Sequence, residues 1–179
     1  EATKPGWADM ATEYWINALL SNPATHVTNF LSNTLTTMWA IPERALAAQL
    51  SRGGEGVVRG EATEMLWGLI GGTMDGLRLA GKAFREGVPV RPGTNVEGYT
   101  RKAISGANMG ASGNLGRAID LLGTAVRTPG RFLMASDEFF KSINFRMELN
   151  AQALRQVRNE GLEGKVGAKR MADLISDPE

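Results

Sequence analysis

The sequence predicts an all-α fold, and three observations carry that expectation. Large apolar residues recur every three to four positions over several long stretches, which is helical spacing. Asn22-Pro23 and Thr128-Pro129 each read as a helix cap followed by a first-turn proline. No stretch reads as a strand. The expected architecture is an irregular bundle of about five to seven helices in two halves. Residues 8–86 would form the N-terminal half and 87–114 a linker with a Gly-rich loop. Residues 115–175 would form the C-terminal half around one long central helix.

Residues 8–20 predict a short first helix with Met10, Tyr14, Trp15, Ala18 and Leu19 on its apolar side. A second helix is expected over 23–41. Val27, Phe30, Leu31, Leu35 and Met38 form its apolar stripe, and Thr25, Asn29, Ser32, Asn33, Thr36 and Thr37 form a neutral polar face. Pro42 should kink or restart it before it continues to Ser51, ahead of a glycine-rich turn at 52–56.

A third helix is expected over 61–85. It carries Gly68, Gly72, Gly76 and Ala80 four apart, a row of small residues that leaves a helix-contact groove. Each glycine costs about 1 kcal/mol against alanine in a helix, so close packing must compensate. Residues 87–98, with two prolines and three glycines, read as an extended linker, and 105–116 as a flexible glycine-rich loop.

Residues 115–126 predict another short helix with Ile119, Leu122 and Val126 inward. The central helix is expected over 128–159, starting at a Thr128 cap and ended by Gly161. Phe132, Phe139, Phe140, Ile143, Met147, Leu154 and Val157 supply its core face, and Asp137 with Glu138 reads as a first-turn acidic cluster. Residues 166–175 predict a last short helix.

Chemistry is sparse. The chain has no cysteine and one histidine, His26, which excludes a disulfide framework and leaves a triad or zinc site without partners. Asp137 and Glu138 are adjacent, so they diverge by about 100° on a helix and cannot face each other as an acid–base pair. Gly106, Gly110, Gly113 and Gly116 do not match a dinucleotide fingerprint, and no phosphate loop occurs. The expectation is no enzyme, no cofactor and no metal. The first residues carry neither a basic segment nor an apolar one, so no signal peptide is expected, and both ends read as limits of a longer polypeptide.

Charge is unevenly placed. Residues 1–77 carry net −4 and 78–131 net +6, within a total of +1. Arg91, Arg101, Lys102, Arg117, Arg127 and Arg131 in that basic middle are candidate anion-contacting residues, for phosphates or anionic lipid, with a solvated basic loop as the plainer alternative. By contrast, 14–41 contains no Asp, Glu, Lys or Arg. Pro23 and the repeated asparagines argue against a membrane span there. A neutral polar face suits a protein contact, where burying charge is costly, so Asn29, Ser32, Asn33 and Thr36 are the candidate assembly face.

Two segments carry a family resemblance. The run 20–26, LSNPATH, followed by Asn29 and Asn33, resembles a segment of very large virion-associated proteins of tailed bacteriophages. So does 127–131, RTPGR, followed by 137–141, DEFFK, and Arg146, the similarity covering about 14–158. The resemblance implies an internal virion or DNA-ejection protein, carried inside the capsid or near the portal and delivered to the host cell envelope with the genome. It implies assembly with itself and with portal or ejection proteins, and brings genomic DNA within range. Such proteins often carry separate enzymatic regions, but none of those motifs occurs here, so no catalytic residue carries over. The alternative reading is a membrane-active or nucleic-acid-contacting helical module.

Overall fold

The computed structural model describes residues 5–51, 56–90 and 102–177. Among them the chain is all helical, with no strand and five helices, and fits an all-α bundle. The helices are α1 (Trp7–Leu20), α2 (Pro23–Leu50), α3 (Glu61–Glu86), α4 (Gly113–Asn159) and α5 (Gly164–Ser176).

Two boundaries differ from expectation, and both involve proline. α2 runs through Pro42 without a break. The lost backbone donor is offset by what lies beside it, because Ala40 and Ile41 pack on a buried core. α4 fuses the helices expected at 115–126 and 128–159, so Thr128 caps nothing. Two threonine hydroxyls near the proline bond back to carbonyls one turn earlier. Thr124 Oγ1 donates to the Asp120 carbonyl at 2.8 Å and Thr128 Oγ1 to the Thr124 carbonyl at 3.0 Å. Asp137 and Glu138 therefore lie in mid-helix and not in a first turn. Glu138 is fully buried, and neither of its oxygens has a hydrogen-bond partner.

α4 stops as expected at glycine. Gly161 has φ +69°, its N–H donates to the Arg158 carbonyl, and the Leu162 N–H donates to the Val157 carbonyl, both at 3.0 Å. This left-handed cap satisfies carbonyls that the helix end would orphan.

The residues group into two compact units. One comprises Glu1–Phe30 with Ala80–Glu138, the other Leu31–Leu79 with Phe139–Glu179. The units do not follow the sequence halves 8–86 and 115–175, because α2, α3 and α4 each contribute residues to both. Most of the expected linker at 87–98 lies outside the described residues.

The first unit has few large buried side chains. Ala83 and Ala103 are buried, and backbone approaches backbone at glycine. A Cβ on Gly106 would lie 2.8 Å from the Gly116 Cα, and one on Gly123 would overlap the Ile104 carbonyl. Residues 105–116, expected as a flexible loop, are therefore held by packing. They are held by hydrogen bonds as well, from Gly106 N–H to Asp120 Oδ1 and from Ala111 N–H to the Gly106 carbonyl, both 2.9 Å. Leu122, expected inward, is exposed instead.

The second unit has the stronger apolar core. Met65 from α3 meets Ile143, Met147 and Ala151 from α4, with Ala40 and Ile41 of α2, Leu69 and Phe139 around them. Burying a side chain such as Met147 contributes about 1.5–3 kcal/mol. α2 also enters through a polar contact, Thr37 Oγ1 donating to Asn144 Oδ1 at 3.0 Å, with Thr37 buried. Thr37→Val should cost about 1 kcal/mol in a urea titration followed by circular dichroism, because it leaves the amide oxygen without that donor. A loss below about 0.3 kcal/mol would mean that Asn144 finds another partner.

Candidate functional site

Three groups of residues were singled out by sequence. The glycine groove lies in the second unit and is filled by α4 of the same chain. A Cβ on Gly68 would lie 2.6 Å from the Arg146 carbonyl oxygen and 2.7 Å from the Met147 Cα. On Gly72 it would lie 3.1 Å from the Ile143 Cα, and on Gly76 3.0 Å from the Phe139 carbonyl oxygen. The row is spent on an internal helix crossing. Ala80 belongs to the other unit and is partly exposed.

On the candidate assembly face, Ser32, Asn33 and Thr36 are exposed and Asn29 is partly so. The Thr36 hydroxyl is turned to its own helix, donating to the Ser32 carbonyl at 2.9 Å. The apolar stripe of α2, expected to face a core, is exposed too. Val27, Phe30, Leu31, Leu35 and Met38 all remain about half or more in solvent, as does Trp39. What α2 buries is Thr37, with Ala40, Ile41 and Arg44 partly covered.

Four of the six candidate anion-contacting residues fall within the described residues. Arg91 and Arg101 lie outside the described residues. Lys102 and Arg117 are exposed. Arg127 is not free for an anion: its Nη1 donates to Glu13 Oε1 at 2.7 Å and to the Ile104 carbonyl at 3.1 Å. Glu13 Oε2 accepts from the Ile104 N–H at 2.9 Å, so this pair ties α1 to the turn before α4. Arg131 lies beside Gly87, its Nε 3.1 Å from where a Cβ would stand on that residue.

No sequence signal marked the charge cluster centred on Glu61. Glu61, the first residue of α3, is fully buried. It accepts from Arg155 Nε at 2.9 Å and Nη2 at 2.7 Å, from Arg44 Nη1 at 3.1 Å and from the Val58 N–H at 2.8 Å. Desolvation raises its pKa, but the Arg155 hydrogen bonds, the Val58 N–H and the charges of Arg155 and Arg44 outweigh it and hold the carboxyl below its ordinary value. Arg44 also bonds Glu148. The cluster fastens α2, α3 and α4 within the second unit. Both arginines are engaged by carboxylates of the same chain, which makes the cluster a structural clamp. Glu64, one turn on, differs: burial pushes its carboxyl up, and no cation partners it among the described residues.

His26 packs edge-on against Phe132, ring centroids 5.2 Å apart at 86°. No group of three or more metal-ligating side chains occurs among the described residues, and no helix there is long and apolar enough to cross a membrane.

Large apolar side chains are prominent among the exposed residues. All four tryptophans, Trp7, Trp15, Trp39 and Trp67, are between 61% and 81% exposed. On the same helices Leu19, Leu35, Leu46, Leu50, Ile70 and Met74 are each more than half exposed. Isolated exposed leucines are normal, whereas tryptophan is highly buried on average, so four exposed ones stand out. No family model matches the chain, and no significant match is found among curated proteins or solved structures.

Proposed function

We propose that this chain is a structural assembly module that works by docking exposed helix faces against protein, without chemistry of its own. The observation that carries the reading is the exposure of all four tryptophans, two on α1 and one each on α2 and α3. Aromatic residues and methionine are what protein interfaces concentrate at their cores. The charge-free stretch 14–41 adds a face that can be covered without stripping water from an ion.

The narrower reading is a segment of a tailed-phage internal virion or DNA-ejection protein. Its support is the resemblance of 20–33 and 127–146 set out above. On this reading the partners are further copies and portal or ejection proteins, and the module takes part in genome delivery through the cell envelope. A second reading, a lipid-surface contact, draws on the same tryptophans, which suit the headgroup layer.

Light scattering across a concentration series tests the proposal, with flotation on phosphatidylcholine–phosphatidylserine vesicles beside it. Mass above the monomer, rising with concentration and without flotation, is the expected result. A strict monomer that floats would replace protein docking by lipid contact, and a strict monomer that does neither would end both readings.

A further inference from the structure

We propose that the exposed face of α3 pairs with α3 of a second copy, antiparallel, about a two-fold axis passing beside Gly71. The inference rests on the assembly reading above and names one of its surfaces and its register.

α3 has two opposite faces within the second unit. Met65, Gly68, Gly72 and Gly76 are buried against α4. At 100° per residue, the direction opposite them is held by Trp67, Ile70, Met74 and Leu77, exposed by 61, 54, 72 and 56%. Their spacing of three, four and three is the seam of a two-helix coiled contact. The stripe stands on a helix whose other face is fixed by backbone-to-backbone packing, so it cannot turn inward to escape water.

The flanks select the occupant and its direction. On one side of the stripe lie Glu64, Gly71 and Arg78, seven residues apart; on the other lie Leu66 and Thr73, without charge. The Glu64 carbonyl accepts from Asn150 Nδ2 at 3.3 Å, but the Glu64 carboxylate and the Arg78 guanidinium make no hydrogen bond or ion pair among the described residues. In an antiparallel pair, Trp67 meets Leu77 of the second copy and Ile70 meets Met74. That register sets like flanks against each other and brings Glu64 to Arg78 of the second copy, twice by symmetry. A parallel pair would set Arg78 opposite Thr73 and leave both charges unmatched. Gly71 meets Gly71 of the second copy near the axis, and a Cβ there would touch nothing within 4 Å, so the helices have room to approach. The exposed stripe of α2 has no such flanking charges to fix a register, which is why α3 is the surface chosen.

The chain has no cysteine, so engineered thiols report without background. Ile70→Cys and Met74→Cys variants are prepared separately, mixed, and oxidised. The expected result is disulfide-linked dimer in the mixture and little with either variant alone, since residues 70 and 74 of different copies share a layer. Arg78→Glu should weaken self-association by about ten-fold in sedimentation equilibrium, and adding Glu64→Arg should restore it. Equal cross-linking in all three samples overturns the antiparallel register. No cross-link, with scattering that still reports an oligomer, overturns α3 pairing and leaves the assembly reading intact. A strict monomer overturns both.

Discussion

Glu61→Gln should lower the unfolding free energy by about 3–5 kcal/mol, because it leaves two arginines facing a neutral amide in a buried site. Arg155 loses its bidentate acceptor and Arg44 one of its two carboxylate partners. The effect carries a pH signature. A carboxyl held below its unfolded value contributes stability that is present above that value, about pH 4.3, and lost as pH falls through the folded value. The difference between parent and variant should therefore be flat from about pH 6 to 8 and shrink below about pH 4. Urea titrations across that range read it. A difference that grows on acidification would show that Glu61 is not the ionised centre of the cluster.

Gly68→Ala should cost about 1–3 kcal/mol although alanine is the better helix former. The new methyl would stand 2.6 Å from the Arg146 carbonyl oxygen, backbone that yields only if α3 and α4 separate. Gly81→Ala, on the same helix, meets nothing within 4 Å and should gain up to about 1 kcal/mol. Opposite signs at two glycines of one helix cannot come from propensity. Equal shifts in thermal melts of the two variants would refute the close crossing.

Much of the helical fold was legible because it depends on local pattern. The expected 61–85 and 8–20 fall within one residue of α3 and α1, and Gly161 ends α4 by a mechanism that glycine alone announces. Pro129 misled because a proline reads the same whether it starts a helix or is tolerated within one, and local pattern does not distinguish the two. The stripe of α2 was legible as apolar but not as uncovered: periodicity marks a face without naming what lies against it. Glu61 escaped because its partners are 17 and 94 residues away, and at sequence level each looks like an ordinary surface charge. Arg127 misled for the same reason, its partner Glu13 being 114 residues off.

The interleaving of the two units also sets a timetable. The core around Met65 closes only when Ile143, Met147 and Ala151 arrive, and Thr37 waits 107 residues for Asn144. On a ribosome adding roughly 5–20 residues per second, the interval between Leu79 and Met147 lasts about 3–14 s. Throughout it, α2 and the first part of α3 are synthesised but lack the helix that covers Gly68, Gly72 and Gly76. Nascent chains on one message would then expose two sticky surfaces at once, the face meant for α4 and the stripe that the mature protein keeps. Slow translation of 80–147 is thus the point at which this fold is most open to capture by chaperones or by its neighbours on the same polysome.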